Sequence, residues 1–194
     1  MIELPILETE RLRIRPFTLN DLDNVHNLKV QIGWADERKT PAEQREYHRR
    51  YLNWNIENYW ALVNLRQPPT GDRLIELKDS GRFVGACAIQ NMWLPMGQLP
   101  SFGMQEGCRS QAEVSLMWAV LPEFWGHGIA PEVAQALIDM VFEQGNLKRV
   151  IATTEHDNMP SQRVMEKVGM RVEKNPFSKP FWFQMVGIIE AGEL

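Results

Sequence analysis

The chain has 194 residues, of which 44% are hydrophobic and 24% charged, and it carries a formal net charge of -4 at neutral pH. That size and balance fit one globular domain with a sizeable core, and they exclude binding to nucleic acid by bulk positive charge. The two cysteines, Cys87 and Cys108, are too few for a disulfide scaffold or a four-ligand zinc site.

No apolar run is long enough to span a bilayer, and the N-terminus lacks a basic stretch followed by an apolar one. The expectation is therefore a cytoplasmic protein with no membrane partner, no metal and a buried, reduced Cys87. Residues 11–15 alternate strictly, with Leu12 and Ile14 on one face of a half-buried first strand. Thr18, with Asp21 three positions on, starts a first helix whose stripe is Leu22, Val25 and Leu28. Thr40-Pro41-Ala42-Glu43 combines an N-cap, a proline at the first helical position and a glutamate to close the box, so a second helix runs from there into the 50s.

Residues 73–78, the turn Asp79-Ser80-Gly81 and residues 83–89 read as a strand hairpin. A long connection over 90–112 follows, rich in apolar side chains from Met92 to Met104. It is expected either to cap the core or to border an acceptor cleft or a subunit interface, which leaves a homodimer open. Trp34, between the first two helices, is the candidate opposite wall. Next come a strand over 113–121 and a helix over 131–143 with Val133, Ala136, Leu137, Met140 and Val141 on one face. A strand over 149–155, a helix over 159–168 and two closing strands, 170–173 and 181–189, complete the chain. No internal repeat is present.

The chemistry concentrates in Leu121-Pro122-Glu123-Phe124-Trp125-Gly126-His127-Gly128-Ile129-Ala130-Pro131-Glu132. Two glycines one residue apart let a backbone turn point its N–H groups inward. A helix begins at once, so its unpaired first-turn N–H groups face the same space and make a cradle for a phosphate-bearing ligand. The third glycine of a dinucleotide fingerprint is absent, Pro131 standing in its place, and no nucleotide P-loop sequence exists.

The loop resembles the pyrophosphate loop of the GNAT acetyltransferases, Q/R-x-x-G-x-G/A, at every position of Trp125-Gly126-His127-Gly128-Ile129-Ala130 except the first. Trp125 preceded by Pro-Glu-aromatic is the spelling of the RimJ/RimL-like branch. Downstream, Asn158-Met159-Pro160-Ser161 is similar to that family's N-x-x-S helix start, and Glu166-Lys167-Val168-Gly169-Met170 to its E-K-x-G-F. Leu7-Glu8-Thr9-Glu10-Arg11-Leu12-Arg13-Ile14-Arg15 looks like the branch's opening strand, so the resemblance covers roughly residues 7–190, as one N-acetyltransferase domain.

The resemblance implies an α/β fold in which a central mixed, mostly antiparallel sheet is flanked by helices and its strands splay around an acetyl-coenzyme A site. It implies that the backbone amides of Gly126, His127, Gly128, Ile129 and Ala130, beside Trp125, hold the pyrophosphate. The main chain of Trp118, Ala119 and Val120 would serve the oxyanion and the pantetheine arm, which Asn158 also contacts. Ser161 matches the serine that can protonate the leaving thiolate. The tyrosine that many relatives use one turn later is Met165 here, and the branch's usual glutamate is replaced by Ser115. Glu113, two residues earlier and so on the same strand face at about 6.6 Å, is the candidate base.

Acetyl transfer to an amine needs a held thioester, a neutral amine, a stabilised oxyanion and a proton for the thiolate. The implied activity is transfer of an acetyl group from acetyl-coenzyme A, a co-substrate, to a primary amine by direct attack. The acceptor, a protein N-terminus or a small amine, stays open. Two alternatives stand beside it: an acyl-coenzyme A sensor without turnover, motivated by the missing tyrosine and displaced glutamate, and a structural or partner-binding protein.

Overall fold

The computed structural model describes residues 5–65 and 67–192. The chain packs as two compact units, one built from residues up to Ala88 and from Trp118–Ala136, the other from Ile89–Met117 and from Leu137 onward. Eight strands hydrogen-bond in the order β1-β2-β3-β4-β5-β6-β8-β7. They are β1 (Leu7–Glu8), β2 (Leu12–Pro16), β3 (Gly71–Leu77), β4 (Phe83–Leu94), β5 (Gln111–Val120), β6 (Arg149–Thr154), β7 (Arg171–Lys174) and β8 (Met185–Glu190). The β5–β6 pair is parallel, whereas β1–β2, β2–β3, β6–β8 and β7–β8 are antiparallel. The sheet is thus mixed and mostly antiparallel, as the resemblance implies.

In the first unit, β2 buries Leu12 and Ile14 completely and leaves Arg13 in solvent, the alternation its sequence predicts. Helix α1 (Leu22–Gln31) follows a short 3-10 turn at Leu19–Asp21. The Asp21 carboxylate accepts from the Thr18 amide at 2.7 Å and pairs with Arg15 at 2.9 Å, closing the predicted box. Helix α2 (Pro41–Asn64) runs about two turns beyond the predicted end. Its start is capped as read, with the Thr40 amide donating to Glu43 Oε2 at 2.8 Å and the Glu43 amide to Thr40 Oγ1 at 3.3 Å. Leu52, Leu74, Ile75 and Val84 close this core. A Cβ on Gly85 would stand 2.1 Å from the Ala119 carbonyl oxygen, so only glycine lets the backbones of β4 and β5 come this close.

In the second unit, helix α4 (Met159–Lys167) packs on β7 and β8. The core joins Ile151, Phe183, Val186 and Ile188 to Leu94, Met96 and Leu99, all fully buried. Three of the apolar residues of the 90–112 connection are therefore core, with Met92 and Phe102 packed against them. The connection is also shorter than the sequence suggests, because β4 continues to Leu94 and β5 begins at Gln111. The second closing strand starts at Met185 rather than 181, since residues 176–182 form turns that bring Phe183 into the core. Helix α3 (Ile129–Glu143) belongs in part to each unit and buries Val133, Leu137, Met140 and Val141 as its stripe predicts, but Ala136 is only partly buried, and Ala134 and Ile138, outside the stripe, are fully buried, so the apolar face is wider than read.

Candidate active site

Between β5 and α3 the chain makes a 3-10 turn at Pro122–Phe124 and then the exposed turn 125–128. Gly126 and Gly128 take φ of +79° and +75°, a left-handed backbone that residues with a Cβ adopt only under strain. This is the geometry the paired glycines foretell. The Trp125 amide bonds to Pro122 O, and the next backbone bond is Glu132 N to Gly128 O. Among the described residues, none of the amides from Gly126 to Ala130 donates a well-formed hydrogen bond to a backbone acceptor. Five consecutive N–H groups at a helix N-terminus therefore await an acceptor, and such an array suits an anion.

Contacts that the sequence reading missed fix this turn. The Trp125 indole N–H donates to Val120 O at 2.7 Å. Glu132, in the first turn of α3, accepts from the Thr9 hydroxyl, from the Arg11 amide at 3.0 Å and from Arg11 Nε at 2.7 Å. Arg11 Nη1 donates to the His127 carbonyl at 2.9 Å. Burial pushes the Glu132 carboxyl up, but the hydrogen bonds from Thr9 and Arg11 outweigh it and hold the group below its usual range. The signal available in the sequence was a Thr-x-Arg pair in the opening strand and an acid in the first turn of the loop helix. Nothing local says that they meet.

In the second unit, Asn158 accepts from the Ser161 amide at 3.2 Å and so caps the helix that its N-x-x-S start opens. The Ser161 side chain is half-buried, and its hydroxyl has no partner among the described residues. Met165, in the position where relatives carry a tyrosine, is 1% exposed and serves as packing. The β5–β6 ladder holds two pairs, Ser115 with Ile151 and Leu116 with Ala152.

Glu113 is buried, and both of its carboxylate oxygens accept from the Arg149 guanidinium, at 3.1 Å for Nε and closer still for Nη2. Arg149 also reaches Glu190 at 3.5 Å and lies over the Phe102 ring at 4.9 Å. Glu113 is thus engaged with Arg149. Around the same unit's surface, Trp93, Pro95, Gln98, Phe181 and Trp182 help line a groove of about 660 Å³, and Trp93 is 82% exposed. In the first unit, Trp34 is half exposed, with Lys29 Nζ 4.7 Å from its ring.

Among the described residues, no three His, Cys, Asp or Glu side chains are grouped to hold a metal ion, and no helix is long and apolar enough to cross a membrane. Cys87 is fully buried, and burial pushes its thiol up to about 12, which makes it an unreactive packing group.

Comparison with known proteins bears on the fold and the family. The chain is 46% identical over 56 residues to the uncharacterized N-acetyltransferase YnaD of Bacillus subtilis, a match spanning 29% of this chain and 33% of that protein. Its fold is similar to that of the ribosomal-protein-S5-alanine acetyltransferase of Vibrio fischeri, with a TM-score of 0.67, 16% identity and 97% of each chain covered. It is also similar to that of Mycobacterium smegmatis RimJ in complex with CoA-disulfide, with a TM-score of 0.65, 20% identity, and 94% of this chain and 83% of that one covered. A family model described as an acetyltransferase (GNAT) domain matches residues 11–171, and the chain belongs to that family.

Proposed function

We propose that this protein is an N-acetyltransferase of the RimJ/RimL-like branch, working as a single catalytic domain over residues 7–190. It moves an acetyl group from acetyl-coenzyme A to a primary amine by direct attack. The observation that carries the reading is the run of five unpartnered amides from Gly126 to Ala130, shaped by two left-handed glycines at the start of α3. A pyrophosphate presents the several acceptor oxygens that such a run needs.

In this reading the neutral amine attacks the thioester carbonyl carbon, and backbone N–H groups of Trp118–Val120 steady the oxyanion. The tetrahedral species collapses, the C–S bond breaks, and the coenzyme thiolate takes a proton from the Ser161 hydroxyl. The ammonium of the tetrahedral species loses its proton to solvent as the C–S bond breaks, and solvent returns one proton to the Ser161 alkoxide, so that amide and free thiol are the net products. Asn158, besides capping α4, contacts the pantetheine arm. Glu113 remains a candidate base only if it lets go of Arg149. With both oxygens occupied by the guanidinium it reads better as the partner that holds Arg149, and acceptor deprotonation then falls to water. An α-amino group, with a pKa near ~8, needs less help in losing its proton than a lysine-like amine near ~10. This favours a protein N-terminus over a lysine-like amine.

One observation supports a second reading, an acyl-coenzyme A sensor without turnover. Glu113 is tied up and Met165 is core, so neither position offers a free acid or base. Thiol release from acetyl-coenzyme A in the presence of a panel of peptides with free N-termini and small amines separates the two. Amine-dependent release with an acetylated product by mass spectrometry supports the transferase, and binding without release supports the sensor.

A further inference from the structure

We propose that Arg11 is a phosphate-binding residue of the coenzyme loop and supplies the cation that its first position, Trp125, lacks. The proposal rests on the loop being the coenzyme site, and it adds a residue from the far end of the sequence. Arg11 stands at the turn between β1 and β2, and its guanidinium is held in place by Glu132, with Nη2 2.6 Å from Oε2 and Nε at 2.7 Å. Nη1 donates to the His127 carbonyl, inside the loop itself, at 2.9 Å.

A Cβ on Gly128 would stand 3.5 Å from Nη2, so the guanidinium lies against the second left-handed glycine. A guanidinium carries five N–H donors. One each from Nε, Nη1 and Nη2 is accounted for, and the second N–H of Nη1 and of Nη2 has no acceptor among the described residues. The side chain keeps 44% of its surface in solvent, so those two donors are within reach of a ligand. Arginine's planar fork suits phosphate oxygens.

Electrostatics point the same way. Glu132 places a carboxylate in the first turn of α3, where by itself it would oppose a second anion at the helix N-terminus. Arg11 cancels that charge, and its position next to the amide array turns a liability into a site. The ligand chemistry is a phosphate, either the pyrophosphate or the 3′-phosphate of the coenzyme.

The test is calorimetric titration of coenzyme A, and of dephospho-coenzyme A lacking the 3′-phosphate, into the wild type, Arg11→Gln and Glu132→Gln. Arg11→Gln is expected to weaken coenzyme A about tenfold, the usual worth of one charge-assisted contact. Glu132→Gln loosens the anchor but keeps the cation and removes the competing carboxylate, so it is expected to bind coenzyme A as tightly as the wild type or more tightly. A penalty that persists with dephospho-coenzyme A assigns Arg11 to the pyrophosphate, and one that vanishes assigns it to the 3′-phosphate.

Equal affinities for the wild type and Arg11→Gln overturn the proposal. So do equal losses in the two variants, which would make the Arg11–Glu132 pair scaffold alone. Arg11→Lys, which keeps the charge without the fork, is read in its place if Arg11→Gln does not fold. It is expected to fall between the wild type and the glutamine variant's predicted loss, and wild-type affinity in it together with loss in Glu132→Gln counts against the proposal. A wild type that binds neither coenzyme sinks the coenzyme-site reading itself, whereas a wild type that binds and variants that do not discriminate sink only the role of Arg11.

Discussion

The indole N–H of Trp125 donates to the carbonyl oxygen of Val120 at 2.7 Å and ties the last residue of β5 to the first residue of the glycine turn. This gives a physical reason for a tryptophan where the family motif has glutamine or arginine. A long aromatic donor can lie back across the 3-10 turn at Pro122–Phe124, and most of its surface stays in solvent. Trp125→Phe keeps the ring and loses the bond. It is expected to cost about 1 kcal/mol of stability and to weaken coenzyme A several-fold through a looser turn. Chemical denaturation and a coenzyme titration on the same preparation check both.

Ser161 and Glu113 separate by kinetics. If the Ser161 hydroxyl protonates the thiolate, Ser161→Ala lowers kcat by about tenfold or more and leaves the affinity for acetyl-coenzyme A intact. Its amide-to-Asn158 cap survives the change, so stability should hold. Glu113→Gln instead breaks a buried ion pair with Arg149 and is expected to cost about 1–3 kcal/mol of stability while the pH–rate profile keeps its acidic limb. Loss of that limb at unchanged stability restores Glu113 as the base.

The sequence made the local chemistry legible wherever one segment carries the whole signal. The glycine turn, the Thr40 cap, the β2 alternation and four of the five α3 stripe residues depend on residues within a few positions of one another and are found as read. What escaped was set by distant partners. Thr9 and Arg11 meet Glu132 more than 120 positions away. Glu113 read as a candidate base because its counterion, Arg149, lies on another strand and leaves no local signal. The reach of β4 to Leu94 was hidden because residues 90–93, Gln-Asn-Met-Trp, do not alternate polar and apolar side chains, and the core cluster that buries Leu94 with Phe183 is built from distant segments.

The 90–112 connection makes opposite predictions for two of its apolar residues. Leu99 is fully buried in the second unit's core, so Leu99→Ala is expected to cost about 2–5 kcal/mol and to leave the acceptor KM unchanged at temperatures where the protein stays folded. Trp93 is 82% exposed, so Trp93→Ala is expected to move stability by no more than about 0.5 kcal/mol. If its groove receives the acceptor, the acceptor KM rises in that variant. Denaturant midpoints and steady-state kinetics on the pair decide whether the connection only caps the core.

Stability should also fall on mild acidification through His48. Burial, reinforced by the charges of His26 and Lys29, pushes its imidazole down to about 4, and its Nδ1 lies 3.0 Å from that of His26. In the unfolded chain the group takes up its proton near pH 6.5, so between about pH 6.5 and 4 the unfolded state binds a proton that the native state refuses. The contribution is complete above that window and shrinks as pH drops through it, by roughly 2 kcal/mol at pH 5. His48→Gln should flatten this part of the stability–pH curve in urea denaturation, and an unchanged slope would assign the dependence to other groups.

Coenzyme binding at this site requires that the amides of Gly126–Ala130 receive a pyrophosphate. Calorimetric titration of acetyl-coenzyme A into the wild type and Gly128→Asp tests this most directly. At φ +75°, with Arg11 3.5 Å from the added Cβ, the aspartate is strained and brings a carboxylate to the place where phosphate oxygens belong. The prediction is saturable binding by the wild type and no detectable binding by a Gly128→Asp protein whose circular dichroism remains native. Equal affinity in the two folded proteins would contradict the assignment of the loop.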